Sequence, residues 1–222
     1  MSKRFASLRT LALLGGLLLT GACGASNSGN APAPYTDGKE YVTLPAAQQQ
    51  RLGKEGKVEV VEVFSYGCIH CAQFAPDAEK LRKSLPAGVA FKLLPAPFSD
   101  EWLPYARAYY AADKLGVVPR THLKLFVEKF AQHYPLNSLD DLADFYAREG
   151  VDRAEFLRIA NSPQATAALK ADLALIQKWG VDGTPTIVVN GKYRSNHIAS
   201  YDQLVAMTQW LVQRELAAKG GR

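Results

Sequence analysis

Val58 to Phe64, VEVVEVF, is a β-branched run interrupted by two glutamates and closed by an aromatic, the pattern of a buried strand. From Cys68 the period changes. Phe74, Ala78, Leu81 and Leu85 recur at three- and four-residue spacing and predict a helix. Pro76 lies inside that run, where the missing amide donor should bend it, and Pro86-Ala87-Gly88 stops it. Val89 to Leu94 reads as strand again, closed by Pro95-Ala96-Pro97, and Tyr41 to Leu44 forms a shorter strand upstream.

Residues 100 to 178 lose the strand pattern. Trp102–Leu115, His122–His133, Ser138–Arg148, Asp152–Ala160 and Ser162–Trp179 each fit a helix. Ser138 with Asp141, and Asp152 with Glu155, place a capping side chain three residues before an acid. Leu139, Leu142, Ala143 and Tyr146 then share one apolar face. Strand patterning returns at Thr186–Tyr193, where Asn190-Gly191 is the preferred centre of a tight hairpin turn. Ser200-Tyr201-Asp202-Gln203 opens a last helix carrying Leu204, Met207, Leu211 and Leu216. With the helical block set aside, the order is β-α-β followed by β-β-α. The expected class is α/β, a thioredoxin-like fold formed by residues 39–98 and 180–218, with an all-helical domain inserted over 99–179.

The start of the chain belongs to neither part. Lys3, Arg4 and Arg9 precede an apolar stretch, Leu11 to Leu19, and then small residues, which together read as an export signal over 1–22. The stretch is too short for a comfortable membrane span. A buried N-terminal helix would not usually run into GASNSGNAPAPYTDG. Thr20-Gly21-Ala22-Cys23 resembles a bacterial lipobox, with threonine where leucine is usual, so Cys23 is the expected lipidation site. Ordinary cleavage nearby is the alternative. Residues 23–38 are then a polar tether, and the expected location is the periplasm, anchored through Cys23.

Charge adds little. Subtracting Lys3, Arg4 and Arg9 lowers the formal charge from +5 to +2. No dense basic run interleaved with aromatics follows, which argues against nucleic-acid binding.

The cysteines say more. Of three in the chain, Cys23 is either lipid-modified or cut away, leaving Cys68 and Cys71. A domain of about 185 residues buries enough core to fold without staples, and a loop this short constrains the unfolded chain very little. The pair is there for chemistry. Zinc would need further ligands from His70, His122, His133, His197 or carboxylates, with no second clustered pair. A c-type haem would need histidine at position 72, which is alanine. Redox exchange fits better: Cys68 follows a strand and opens a helix, where free amides and the helix dipole stabilise a thiolate. Cys71, one turn deeper, should be shielded, and His70 can place a positive charge or donor beside the first sulfur. A merely solvated His70 is the plain alternative. Glu62 interrupts the valine run six residues before Cys68, an unusual place for a carboxyl without a role. Glu59 should face the other side and be solvated, with Lys92 as a charged neighbour for Glu62.

GKVEVVEVFSYGCIHCAQFAP, with GVDGTPTIVVNGKY at residues 180–193, resembles the DsbA family of bacterial periplasmic thiol-disulfide oxidoreductases. The resemblance runs from about Tyr41 to the last helix. It implies a surface nucleophile at Cys68, a buried partner at Cys71, and a cis-proline loop at Thr184-Pro185 beside them. It also implies a proton-transfer role for Glu62 beneath Cys71. The expected activity is introduction of disulfides into exported, unfolded proteins, without a cofactor, by a monomer that a quinone-linked membrane partner reoxidises. Ile69 stands where strong oxidants of the family carry proline, so oxidising strength does not simply carry over. Ile69, Tyr66, Phe98 and Trp102 are the expected apolar surface around the site. The competing readings are a reductase or isomerase on the same fold, and a lipid-anchored module whose cysteines bind metal.

Overall fold

The computed structural model describes residues 33–53 and 56–220. The leader, Cys23 and most of the expected tether lie outside the described residues. The chain is already docked at Tyr35, whose ring packs 5.7 Å from that of Trp210, so a tether reaching residue 38 is too long.

Five strands form one mixed sheet: β1 (Tyr41–Thr43), β2 (Val58–Phe64), β3 (Val89–Pro95), β4 (Thr186–Val189) and β5 (Tyr193–Ser195), in the order β1-β5-β4-β2-β3. β2 pairs parallel with β3, and all the other pairs are antiparallel. Every residue of β2 is buried, which explains its continuous apolar run: both faces of this central strand are covered.

One face carries α1 (Ile69–Ser84) and α7 (Tyr201–Gly220), with Val58 and Val60 packed against Phe74, Ala78, Leu81 and Leu211. The other face is covered by α6 (Pro163–Lys178), where Val61 and Val63 meet Leu175, Ile176 and Trp179. Between β3 and β4 run α2 (Leu103–Lys114), α3 (Val118–Phe126) with a π turn over Val127–Ala131, α4 (Leu139–Arg148), α5 (Arg153–Ala160) and α6. The helix expected from His122 starts four residues earlier because Pro119 suits a first helical turn. Ser138 makes the full reciprocal cap with Asp141, whereas Asp152 only accepts from the Glu155 amide. At the β4–β5 turn Asn190 and Gly191 both have positive φ, 54° and 64°. A Cβ on Gly191 would lie 2.1 Å from the Gln50 carbonyl oxygen, so the glycine is required by space as well as by conformation.

The largest core cluster joins the end of β2 to the helical block. Phe64, Tyr66, Cys68 and Cys71 pack with Tyr105, Phe126, Phe145, Tyr146 and Phe156. The two cysteines therefore sit where sheet, first helix and helical insertion meet.

Two expectations about β2 are overturned. Glu59 is fully buried rather than solvated. It accepts from the amides of Leu52 (2.6 Å) and Gly53 (2.9 Å), with Lys92 at 3.4 Å and Arg51 at 3.8 Å. Lys92 thus belongs to Glu59, because its parallel partner in β2 is Val61, on the Glu59 face.

Candidate active site

Cys68 is the N-cap of α1. Its sulfur accepts from the Cys71 amide at 3.3 Å and lies 3.4 Å from the Thr184 carbonyl oxygen. Both thiols are free, the reduced arrangement. Hydrogen bonding from Cys71 draws the Cys68 thiol down from 9.0 to about 6, against the opposing effect of burial, and Thr184 and the His70 amide help. The Cys71 thiol contributes most, and the unpaired amides of the helix start add to it. Cys71 has no exposed surface, and burial followed by the neighbouring sulfur pushes its thiol far up. Two identical side chains thus have opposite character: one a ready thiolate, the other a protonated thiol.

Thr184 and Pro185 are joined by a cis peptide bond and stand beside Cys68. The Thr184 hydroxyl is buried without a regular hydrogen-bond partner; it helps to lower the Cys68 thiol and only slightly opposes the rise of Cys71. Gly67, which precedes Cys68, leaves no room for a side chain: a Cβ there would lie 2.8 Å from Trp102 Nε1 and 2.9 Å from Tyr105.

Glu62 is buried, and its Oε2 has no hydrogen-bond partner among the described residues. Burial first, and the charge of Cys68 second, raise its carboxyl from 4.5 to about 8. It lines a cleft of about 500 Å³ between α1, β3, α2 and α3, together with Leu93, Tyr109, His122 and Leu123. His122 is held neutral by burial, its pKa lowered to about 4, and its Nδ1 is hydrogen-bonded to the Tyr66 hydroxyl at 3.0 Å. Sequence reasoning gave His122 weight only as a spare metal ligand. Nothing in its spacing signals the contact with Tyr66, 56 residues away.

His70 is exposed, with Nδ1 3.3 Å from Gln73 Oε1. Ile69 and Phe98 are exposed at 44% and 37%, and Phe98 stacks on half-buried Trp102. Ile69 is exposed at the start of α1, and the Phe98–Trp102 pair is a second, partly exposed apolar feature. Tyr66 belongs to neither: only 1% exposed, it lies under the site against Phe64, His122 and Phe126. Among the described residues, no group of three or more His, Cys, Asp or Glu side chains is placed to hold a metal ion.

A family model described as Thioredoxin matches residues 48–208. The thiol:disulfide interchange protein DsbA of Pseudomonas aeruginosa is 35% identical over 186 residues, covering 83% of this chain and 87% of its own length. That of Burkholderia cepacia is 33% identical, with 82% and 86% covered. Among solved structures, Pseudomonas aeruginosa DsbA superposes with a TM-score of 0.77 at 34% identity, covering 84% of this chain and 97% of that one. The oxidoreductase DsbA of Xylella fastidiosa gives 0.77 at 37% identity, covering 82% and 98%.

Proposed function

Because this chain belongs to the DsbA family of thiol:disulfide interchange proteins, we propose that it works by exchange through a Cys68–Cys71 disulfide. It is a thiol-disulfide oxidoreductase that introduces disulfides. The observation that carries the assignment of roles is the asymmetry of the pair, with Cys68 poised as thiolate at a helix start and Cys71 buried and protonated.

The reaction starts from the oxidised enzyme. A substrate thiolate attacks Cys68 Sγ, a mixed disulfide forms, and the Cys68–Cys71 bond breaks with its electron pair on Cys71. That sulfur takes up a proton, and the protonated Glu62 carboxyl is the donor in the buried site. A second substrate thiolate attacks the substrate sulfur of the mixed disulfide and releases Cys68 as a thiolate. The substrate has lost two electrons and the enzyme has gained them. A low pKa makes Cys68 a good leaving group and favours oxidation of the substrate.

The half-buried loop at Thr184 and Pro185, beside Cys68, offers main-chain pairing to an extended peptide, and the apolar side chains of Ile69, Phe98 and Trp102 favour unfolded over folded chains. The substrates are exported proteins still carrying free thiols. Reoxidation falls to an electron-accepting partner, which we place in the membrane and link to quinone. The location is the periplasm, and the enzyme acts as a monomer. Cys23 is proposed as a lipid anchor on the strength of its lipobox alone. No helix among the described residues is long and apolar enough to cross a membrane.

Equilibration against glutathione buffers tests direction and roles together. The reference points are about −120 mV for oxidants of this family and about −270 mV for thioredoxin-type reductants. A value toward the first is expected, with all exchange lost in Cys68→Ser. A value near the second would reverse the physiological direction.

A further inference from the structure

The cleft of about 500 Å³ that Glu62 lines has a mostly apolar wall and an uneven set of charges. α1 contributes Ala75 and Ala78, small side chains that leave the space open. Phe91 and Leu93 are half-buried along β3, and Leu123 of α3 is exposed at 41%. Most of the charges are already matched. Arg82 donates to both oxygens of Glu79 at 2.7 Å, and Lys92 lies 3.4 Å from Glu59. Burial holds His122 neutral and keeps the Tyr109 phenol protonated. Two carboxyls remain without a cation among the described residues: buried Glu62, whose Oε2 has no hydrogen-bond partner, and exposed Asp113. A cavity of this size, with apolar walls and an unmatched carboxyl inside, suits a small ligand with a cationic donor at one end and hydrocarbon at the other.

We propose that this cleft binds a small amphipathic amine, its ammonium donating to Glu62 and its hydrocarbon part lying along Phe91, Leu93 and Leu123, and that occupancy slows disulfide exchange. The ammonium pairs with the carboxylate form, so binding sends the Glu62 proton out to solvent. When the Cys68–Cys71 bond then breaks with its electron pair on Cys71, that sulfur lacks its donor. The slowing rests on Cys68 and Cys71 being the exchanging pair, whereas the binding does not.

Calorimetry on the full reduced chain tests the binding, with phenethylamine as the probe and phenethyl alcohol as its neutral counterpart. A hydrogen bond to a charged group corresponds to about ten- to hundredfold, and the amine should bind tighter than the alcohol by that factor at pH 8.5. Amine affinity should rise about five- to tenfold between pH 7 and 8.5, as Glu62, at about 8, gives up its proton. Cys68, near 6, and Cys71, pushed far up by burial, do not titrate in that window. Glu62→Gln should abolish both the preference for amine and its pH dependence. Asp113→Asn should weaken the amine about twofold and leave exchange without amine unchanged. Saturating amine should slow exchange by the wild type and leave that of Glu62→Gln as it was. Equal binding of amine and alcohol, binding of neither, or amine binding indifferent to Glu62→Gln overturns the site. Amine bound at Glu62 with exchange undiminished overturns the control of exchange. Exchange that survives Cys68→Ser overturns the assignment of the pair and leaves the calorimetry standing.

Discussion

The amide of Cys71 donates to the sulfur of Cys68 across 3.3 Å, and the Cys71 thiol, kept protonated by burial, contributes still more to stabilising the charge on that nearly buried sulfur. The hydrogen bond exists because Cys68 occupies the N-cap, where helix amides lack carbonyl partners.

Titration of the reduced protein should therefore show one thiolate with a midpoint near 6. Alkylation at pH 7, followed by peptide mapping, should modify Cys68 and spare Cys71. Because the folded pKa of Cys68 is depressed from 9.0 to about 6, its contribution to the stability of the reduced form is complete above pH 9. It fades as pH falls through 6. Equal modification of both cysteines would contradict the asymmetry.

Glu62 acts on stability with the opposite slope. Its folded pKa is raised to about 8 from 4.5, so between these values the native state holds a proton that the unfolded chain has released. Stability of the reduced protein should fall as pH rises across that window, by on the order of 4 kcal/mol for a fully buried group. Glu62→Gln should remove the slope and stabilise the protein at pH 8 while slowing exchange. Denaturant melts at several pH values read the first effect, and stopped-flow kinetics the second. Oxidation also removes the Cys68 charge that helps raise this carboxyl, so in the oxidised form the window should be narrower and the total loss smaller.

His122 opposes Glu62 at acid pH. Burial lowers its pKa from 6.5 to about 4, and below 6.5 the unfolded chain binds a proton that the native state refuses. Stability should therefore fall as pH drops through this range, by on the order of 3 kcal/mol once below both values. Between pH 4.5 and 6.5 the two groups nearly cancel. His122→Asn, which can still pair with the Tyr66 hydroxyl, should expose the Glu62 slope down to pH 4.5. A melting profile unchanged by that substitution would mean that His122 titrates normally.

Gly67→Ala tests the packing behind the nucleophile. The new methyl would sit 2.8 Å from Trp102 Nε1 and 2.9 Å from Tyr105 Cε2, so either the Cys68 loop or the indole must move. A loss of about 1 to 3 kcal/mol in thermal or urea unfolding is expected, together with slower exchange as Cys68 leaves the Thr184 carbonyl. Wild-type exchange in this variant would show that the indole yields freely.

Much of this architecture was legible in the linear pattern. The valine run of β2, the Asn190-Gly191 turn and the Ser138 cap carry their own local instructions, and each element formed at or within a few residues of its expected place. Cys68 and Cys71 stood out because spacing and position after a strand are local properties. Glu59 and Tyr66 were misplaced for the converse reason. Period-two alternation assigns a residue to a face but does not reveal what covers that face. Here the loop at Leu52–Gly53 covers Glu59 and the helical insertion covers Tyr66.

The sequence by itself determined the order of the elements and singled out the proposed exchanging pair, since helix starts, turns and a close cysteine motif depend on neighbours a few residues apart. The tertiary structure alone decided the electrostatics of the site. Thr184 reaches Cys68 across 116 residues, Tyr66 meets His122 across 56, and Tyr201 meets His70 across 131. The strength of a charge or a hydrogen bond depends on distance and burial, and those are set only when the sheet, α1, α7 and the helical insertion close around one another.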